Sequence, residues 1–159
     1  MKKFGKWMCA ALLAAATGAG AAEMDYGVWT DSPEIASASV NGVRWGLPLA
    51  VSSGKVDGAE LSILYSGTRE VTGIKYSLLG VNNGEKLEGV SVGLFNNSGA
   101  TVDSIQLGLV NNSGKGGIQL GLVNNNDDDA LFQLGLVNFN KNGWLPVMLF
   151  FNIGSQAFE

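Results

Sequence analysis

The stretch Ile105-Gln106-Leu107-Gly108-Leu109-Val110-Asn111 decides the fold, because the same heptapeptide returns at residues 118–124. A third copy, with one change, occupies residues 132–138. Four more divergent copies precede these three, at residues 43–49, 59–65, 74–80 and 90–96. The first positions of the seven copies lie 13 to 16 residues apart, and self-similarity at a short period is the signature of a repeat architecture.

Within each copy, the first, third and fifth positions are apolar or aromatic, and the fourth position is always small. In the clearest copy these are Ile105, Leu107 and Leu109, with Gly108 before the last of them. Apolar residues at i, i+2 and i+4 have the period of a strand and not of a helix. We therefore predict that the three apolar columns form the core of a stack of strands.

The second position of the copies predicts the register of that stack. Direct stacking places Glu60 between Arg44 and Lys75, and it places Gln106, Gln119 and Gln133 in one row. Opposite charges and amide ladders are both well tolerated between side chains about 4.8 Å apart. Each copy is followed by a turn-forming run rich in Asn, Ser and Gly.

These patterns predict an all-β, single-domain β-solenoid of about seven coils of 13–16 residues, with N- and C-terminal caps. The alternative is a small outer-membrane β-barrel, suggested by the alternating apolar strands. A barrel requires a return strand of about 9 to 11 residues in every repeat. The link at residues 111–117 is short, polar and rich in glycine, which favours the solenoid.

Residues 1–22 have the pattern of a cleaved secretory signal peptide, with three lysines, a short apolar run and then small residues. Cleavage removes the single cysteine, so no disulfide is expected, and it changes the net charge from −4 to −7. This acidic balance argues against nucleic acid or an anionic membrane as the partner. We expect a location in the periplasm, the outer membrane or at the cell surface.

The mature chain divides into three predicted parts. Residues 23–42 form an N-terminal cap that contains Tyr26, Trp29 and Pro33, and its aromatic side chains cover the first coil. Residues 43–143 form the repeat solenoid. Residues 144–159 form a C-terminal cap, whose apolar run at its start supplies the last strand, with Ile153 and Phe158 closing the stack.

The Gln-Leu-Gly-Leu-Val-Asn copies, together with Asn142-Gly143-Trp144-Leu145-Pro146-Val147 and Phe151-Asn152-Ile153-Gly154, resemble a group of bacterial exported surface-repeat proteins. The resemblance covers residues 74–154. It implies a Gram-negative envelope or surface location. It implies no established activity and supplies no functional residues to transfer.

Catalysis and cofactors are not expected. The chain has no histidine, and its mature part has no cysteine, which removes the commonest general base and the usual transition-metal ligands. A polysaccharide-acting enzyme ranks third among the hypotheses. Its nearest residues are Arg44, Glu60 and Lys75, and Glu60 has no stacked carboxylate to complete a glycosidase pair.

Two turn features have a structural and a functional interpretation. Asp127, Asp128 and Asp129 form the one acidic cluster and are candidate Ca²⁺ ligands, although consecutive residues rarely all face one ion, so a solvated turn is favoured. The asparagine column is expected to stack inside a corner and to bond successive backbones. Its members are Asn96, Asn111, Asn124 and Asn138.

The candidate interaction face is the predicted outward side of the last three strands. Its partner would be an envelope protein, a glycan or a second copy, and we expect no membrane insertion. Two arrangements are open: the Val110 column points outward as an apolar stripe, or the chain bends there and turns both neighbouring residues inward. The face comprises Gln106, Gly108, Val110, Gln119, Gly121, Val123, Gln133, Gly135 and Val137.

We also expect Leu109→Asp to disrupt folding and Gln119→Ala to have little effect on folding.

Overall fold

The computed structural model describes residues 23–28 and 39–158, and this part of the chain is all-β apart from one 3-10 turn. The predicted signal peptide at residues 1–22 lies outside the described residues, as do Trp29 and Pro33. The elements are β1 (Glu23–Val28), β2 (Val40–Leu47), β3 (Leu49–Ser62), β4 (Tyr65–Ser77), β5 (Val81–Val92), β6 (Phe95–Leu107), β7 (Val110–Ser113), β8 (Ile118–Leu120), β9 (Val123–Asn126), β10 (Phe132–Asn140), β11 (Val147–Ile153) and the 3-10 turn Ser155–Phe158.

The strands stack in chain order, and every pair from β1 to β10 is parallel. Strand β8 lies between β6 and β10, and β9 lies between β7 and β10. Of the strands in the described part of the chain, only β11 runs antiparallel, and it pairs with β10. The molecule is therefore a β-solenoid, as predicted, and the barrel alternative is wrong because successive barrel strands must run antiparallel.

The predicted register is confirmed. Glu60 pairs with Arg44 on one side and Lys75 on the other, and Gln119 pairs with both other glutamines of its row. The first positions of all seven copies form one continuous row, which contains Val43, Ala59, Ile74, Val90, Ile105, Ile118 and Phe132.

The two ends of the stack differ. At the first coil, β1 adds one more parallel strand, and its residue Tyr26 pairs with Trp45. At the other end, β11 forms the last strand, as predicted for the apolar run, and Ile153 pairs with Phe132. Phe158 ends the 3-10 turn that follows β11.

The described stack has two recurrent bends, the first in its early coils and the second after the fourth position. One is a glycine column in which Gly58 and Gly73 have φ angles of 138° and 123°. A Cβ on either residue would lie 2.1 Å from the carbonyl oxygen of the preceding glycine, so both space and backbone conformation require glycine. The second bend follows the small fourth position, where the amides of Leu109 and Val110 both donate to the carbonyl oxygen of Leu94.

The prediction that the three apolar columns form the core is wrong, because the described coils are built with the opposite orientation. Leu109, Leu122 and Leu134 are 46%, 49% and 51% exposed, whereas the glutamines of the second position are buried. The cluster of buried apolar residues consists of Val40, Val56, Val71 and Leu87. In the next coil Thr101 takes the place of Leu87 in this column.

Candidate interaction surface

The residues predicted for the interaction face lie on two different sides of the sheet. Gln106, Gln119 and Gln133 are buried, so their predicted position on an outward face is wrong. The glycines of the fourth position also face inward. A Cβ on Gly121 would lie 2.4 Å from the carbonyl oxygen of Gly108 and 2.6 Å from Nδ2 of Asn111.

Val110, Val123 and Val137 remain on the outside, and all three are half-buried. The bend before Val110 turns both Leu109 and Val110 outward and then returns Asn111 to the interior. Of the two arrangements left open by the sequence, the outward valine column is the one observed. Its neighbours on the surface are leucines, and not glutamine and glycine.

Inside the coils, the glutamines form a continuous amide ladder. Nε2 of Gln119 donates to Oε1 of Gln106 at 2.9 Å, and Nε2 of Gln133 donates to Oε1 of Gln119 at 2.6 Å. The same Nε2 of Gln119 also donates to the backbone carbonyl of Asn125 at 2.9 Å. The ladder therefore bonds successive coils to each other and each strand to the turn that follows it.

The predicted asparagine column is confirmed as a buried corner ladder. Nδ2 of Asn111 donates to Oδ1 of Asn124 at 2.8 Å and to the carbonyl of Leu120 at 2.9 Å. The same bonding joins every member to the next along the stack. The ladder begins one coil earlier than predicted, and it contains Asn82, Asn96, Asn111, Asn124 and Asn138.

A second asparagine ladder, which sequence reasoning missed, runs beside the first on the outer side. Nδ2 of Asn112 donates to Oδ1 of Asn97 at 2.6 Å, and Nδ2 of Asn125 donates to Oδ1 of Asn112 at 2.6 Å. Nδ2 of Asn97 continues the row to Asn83 at 2.7 Å. The paired asparagines at 82–83, 96–97, 111–112 and 124–125 were the signal that could have revealed it.

The outward columns together make one continuous apolar surface, which we call the apolar face. It consists of the first, third, fifth and sixth positions of the seven copies, together with Leu49, Tyr65 and Val81, which continue the Val110 column through the first coils, and none of these positions holds a charged residue. In the copy that defines the repeat they are Ile105, Leu107, Leu109 and Val110. Many members of the apolar face are strongly exposed, among them Ile74, Leu78, Leu79, Phe95, Leu122 and Leu136.

Strand β11 extends the apolar face at the end of the stack. Phe151 pairs with Leu134, and Leu149 pairs with Val137, so both continue outward columns. A bulge between Gly135 and Val137 interrupts the pairing beside Phe150, which has a φ of 70° and is 66% exposed. Three consecutive residues of β11 therefore present their apolar side chains to solvent.

The margins of the apolar face are neutral on one side and acidic on the other. The outer asparagine ladder follows the Val110 column by two residues. Asp57, Glu88 and Asp103 precede the first position of their coils by two residues, and Asp57 and Asp103 are exposed. The exposed Lys86 pairs with Glu88 at 3.6 Å on this margin. On the segments between the repeats, Arg69 pairs with Glu85 at 2.6 Å and Lys115 with Asp128 at 3.6 Å.

At the first coils, the apolar face contains a shallow groove of about 240 Å³. The aromatic rings of Trp45 and Tyr76 line the groove in two coils, and Leu61 lies in the coil between them. The groove is lined by Trp45, Leu47, Leu61, Ser62, Ile63, Tyr76 and Leu78.

The charged row beneath this groove is buried and does not form an open site. Nζ of Lys75 donates to the carbonyl oxygens of Thr68 at 3.0 Å and Asn83 at 2.6 Å, and it lies 3.8 Å from Oε1 of Glu60. Ser66 donates to the same Oε1. Burial lowers the pKa of Lys75 to about 8, while the nearby Glu60 carboxylate raises it. Arg44 and Glu60 have no exposed surface, so a polysaccharide could not contact this row without opening the coil.

The acidic turn residues point to separate partners. Asp128 accepts from Asn142 at 2.6 Å, whereas Asp129 is buried and accepts from the hydroxyl of Ser155 at 2.8 Å. Asp127 accepts from Asn125 at 3.1 Å. Across residues 23–28 and 39–158, no group of three or more acidic residues is arranged to hold a metal ion.

Within the described part of the chain, no helix is both long enough and apolar enough to span a membrane. Comparisons with known proteins add no relative: no family model matches the chain, and neither a curated protein nor a solved structure matches it.

Proposed function

We propose that this protein is an exported structural and interaction module of the bacterial envelope or cell surface, which binds a partner through the apolar face. The observation that supports this most directly is the orientation of the repeats: the polar or charged side chain of the second position is buried in all seven copies, while the apolar columns stand outside. Continuous apolar surfaces of this extent on soluble proteins commonly mark interaction sites.

The free energy of binding would come from the unfavourable hydration of the exposed apolar columns. Covering the remaining surface of one half-exposed leucine contributes about 1 kcal/mol. The leucines of the fifth position alone, such as Leu109 and Leu122, repeat this gain along the stack. A rigid solenoid loses little conformational entropy on binding, so much of that gain remains available for affinity.

Export rests on the signal-peptide pattern of residues 1–22 and on the resemblance to exported surface-repeat proteins. Cell fractionation with mass spectrometry of the recovered chain tests it. Recovery from the envelope or medium with an N-terminus near residue 22 is expected. An uncleaved chain confined to the cytoplasm would contradict export.

Coverage of the apolar face is tested in intact cells by cysteine labelling in a Cys9→Ser background. Leu122→Cys lies on the apolar face, and Asp127→Cys lies on an exposed turn of the same coil. Each rate of reaction with a water-soluble maleimide is divided by the rate of the same variant after unfolding. We expect the normalised rate at residue 122 to be at least tenfold lower. Equal normalised rates would show an uncovered face and would overturn the proposed function.

A further inference from the structure

We infer that the partner of the apolar face is a second copy of this chain, docked face to face about a two-fold axis. The inference rests on the proposed function and adds the identity of the partner. It is carried by the spacing, the charge and the area of the apolar face, together with one strained aromatic residue.

The spacing of the side chains on the apolar face is complementary to the same spacing on a second copy. Ile105, Ile118 and Phe132 stand in register on adjacent strands, so the surface has ridges about 4.8 Å apart along the stack. A second copy presents the same ridges at the same period, and ridges of one face fit between ridges of the other. Sheets packed in this way lie about 10 Å apart and interdigitate apolar side chains without water.

The charge around the apolar face favours a copy over a lipid surface. Binding to bacterial membranes is usually strengthened by Lys and Arg beside the apolar surface, because the lipid headgroups are anionic. Here the margin holds Asp57, Asp103 and the Lys86–Glu88 ion pair on one side and the neutral outer asparagine ladder on the other. Two apolar faces carry no charged residue between them, so self-docking brings no like charges together inside the contact.

The area of the apolar face is sufficient for a dimer. Six coil spacings of about 4.8 Å and a strand segment about 20 Å wide define a plane of about 600 Å² per protomer. Two such planes give about 1,200 Å², which is the lower limit of specific protein interfaces. Protruding leucine side chains and strand β11 increase the accessible area beyond that of a flat plane.

Phe150 is the second, independent observation. A bulky residue with a φ of 70° is strained, at a cost on the order of 1–3 kcal/mol. Pairing places Phe150 opposite Gly135, in a column that otherwise faces inward, and the bulge turns the ring out beside Leu149 and Phe151. A strained backbone that exposes an aromatic ring is expected where the ring anchors a contact, because aromatic residues contribute much of the binding energy of protein interfaces.

The test uses the purified mature chain in analytical ultracentrifugation over a concentration series. Leu122→Asp places a carboxylate on the apolar face, and Ser53→Asp places one on an exposed position away from it. We expect the parent and Ser53→Asp to dimerise and Leu122→Asp to weaken the dimer on the order of 100-fold. Circular dichroism checks that both variants keep the β fold, and Leu136→Asp replaces Leu122→Asp if the latter does not fold.

A second measurement fixes the geometry. In the mature chain, which lacks cysteine, Leu107→Cys near the centre of the apolar face should form dimers with a short bismaleimide, whereas Ser53→Cys should not. A parent that stays monomeric at every concentration overturns the inference, as does equal dimerisation of the two aspartate variants. A monomer that instead binds phosphatidylcholine vesicles assigns the apolar face to lipid. If residue 122 is nevertheless protected in cells, the proposed function stands and only the second copy is wrong.

Discussion

The side-chain amide of Gln119 donates to the side-chain carbonyl of Gln106 at 2.9 Å, one coil away, and both residues are buried. This bond belongs to a solenoid whose interior is largely amide and hydroxyl groups in its last coils. An unpaired buried amide is costly, so the interior is stable only because each coil supplies the partner of the next. Stability in this molecule therefore depends on polar ladders at positions where a globular core would have leucine.

Replacement of Gln119 by alanine should lower the free energy of unfolding by about 2–4 kcal/mol, because Oε1 of Gln106 loses a donor and a cavity forms. Leu122→Ala, on the surface of the same coil, should cost about 1 kcal/mol. Urea denaturation of the two variants at low protein concentration gives both values. This order reverses the expectation drawn from the sequence, and a larger loss for Leu122→Ala would restore that expectation.

The two asparagine ladders provide a matched pair of substitutions at adjacent residues. Asn111→Ala removes the bonds to Leu120 and Asn124 and leaves the buried Oδ1 of Asn124 without its Asn111 donor, so a loss of about 2–4 kcal/mol is expected. Asn112→Ala removes bonds of the half-exposed outer ladder, where water can replace the partner, and should cost less than about 1 kcal/mol. Thermal unfolding ranks the pair, and equal losses would contradict the assignment of an inner and an outer ladder.

The glycines of the fourth position in the last coils should not accept a methyl group. In Gly121→Ala, the Cβ would lie 2.4 Å from a backbone carbonyl oxygen and 2.6 Å from Nδ2 of Asn111, so we expect a loss of more than about 2 kcal/mol. Gly67→Ala is the control, because there the nearest atom belongs to the ring of Tyr65, which can move. Chemical denaturation compares them, and a stable Gly121→Ala variant would show that the corner has spare room.

The buried lysine should make stability rise in mildly alkaline solution. Burial lowers the pKa of Lys75 from 10.5 to about 8, so between these values the unfolded chain binds more protons than the folded chain. Unfolding then becomes less favourable as pH increases, with a total gain of about 3 kcal/mol for this group. Below about pH 8 the lysine is charged in both states and this gain is absent.

The control for this pH dependence is Lys75→Gln. It places an amide at the position that pairs with Ser91, which in turn pairs with Gln106 of the glutamine ladder. The stability of the parent relative to this variant should increase between about pH 8 and 10.5. Urea midpoints measured across that range give the difference. Parallel profiles for the two proteins would mean that Lys75 titrates normally in the folded state.

Much of the architecture could be predicted from local features of the chain. The heptapeptide period predicted the strands, the charges of Arg44, Glu60 and Lys75 predicted their register, and the asparagines predicted a bonded corner. These inferences succeeded because each depends on residues that repeat at one spacing and meet their own equivalents. The candidate site was predicted only in part, since Val110 and its equivalents are on the surface while the glutamines beside them are not.

The sequence by itself determined the two alternating sets of side chains, but only the tertiary structure decided which set faces inward. Alternation is symmetric, so hydrophobicity suggested that Leu107 and Leu109 should be buried. Closing a coil of 13 to 16 residues leaves a narrow interior, in which a Cβ on Gly108 would already lie 2.6 Å from Nδ2 of Asn96. Glutamine and asparagine fill that space because each bonds the same residue in the next coil, an interaction that exists only after the coils have stacked.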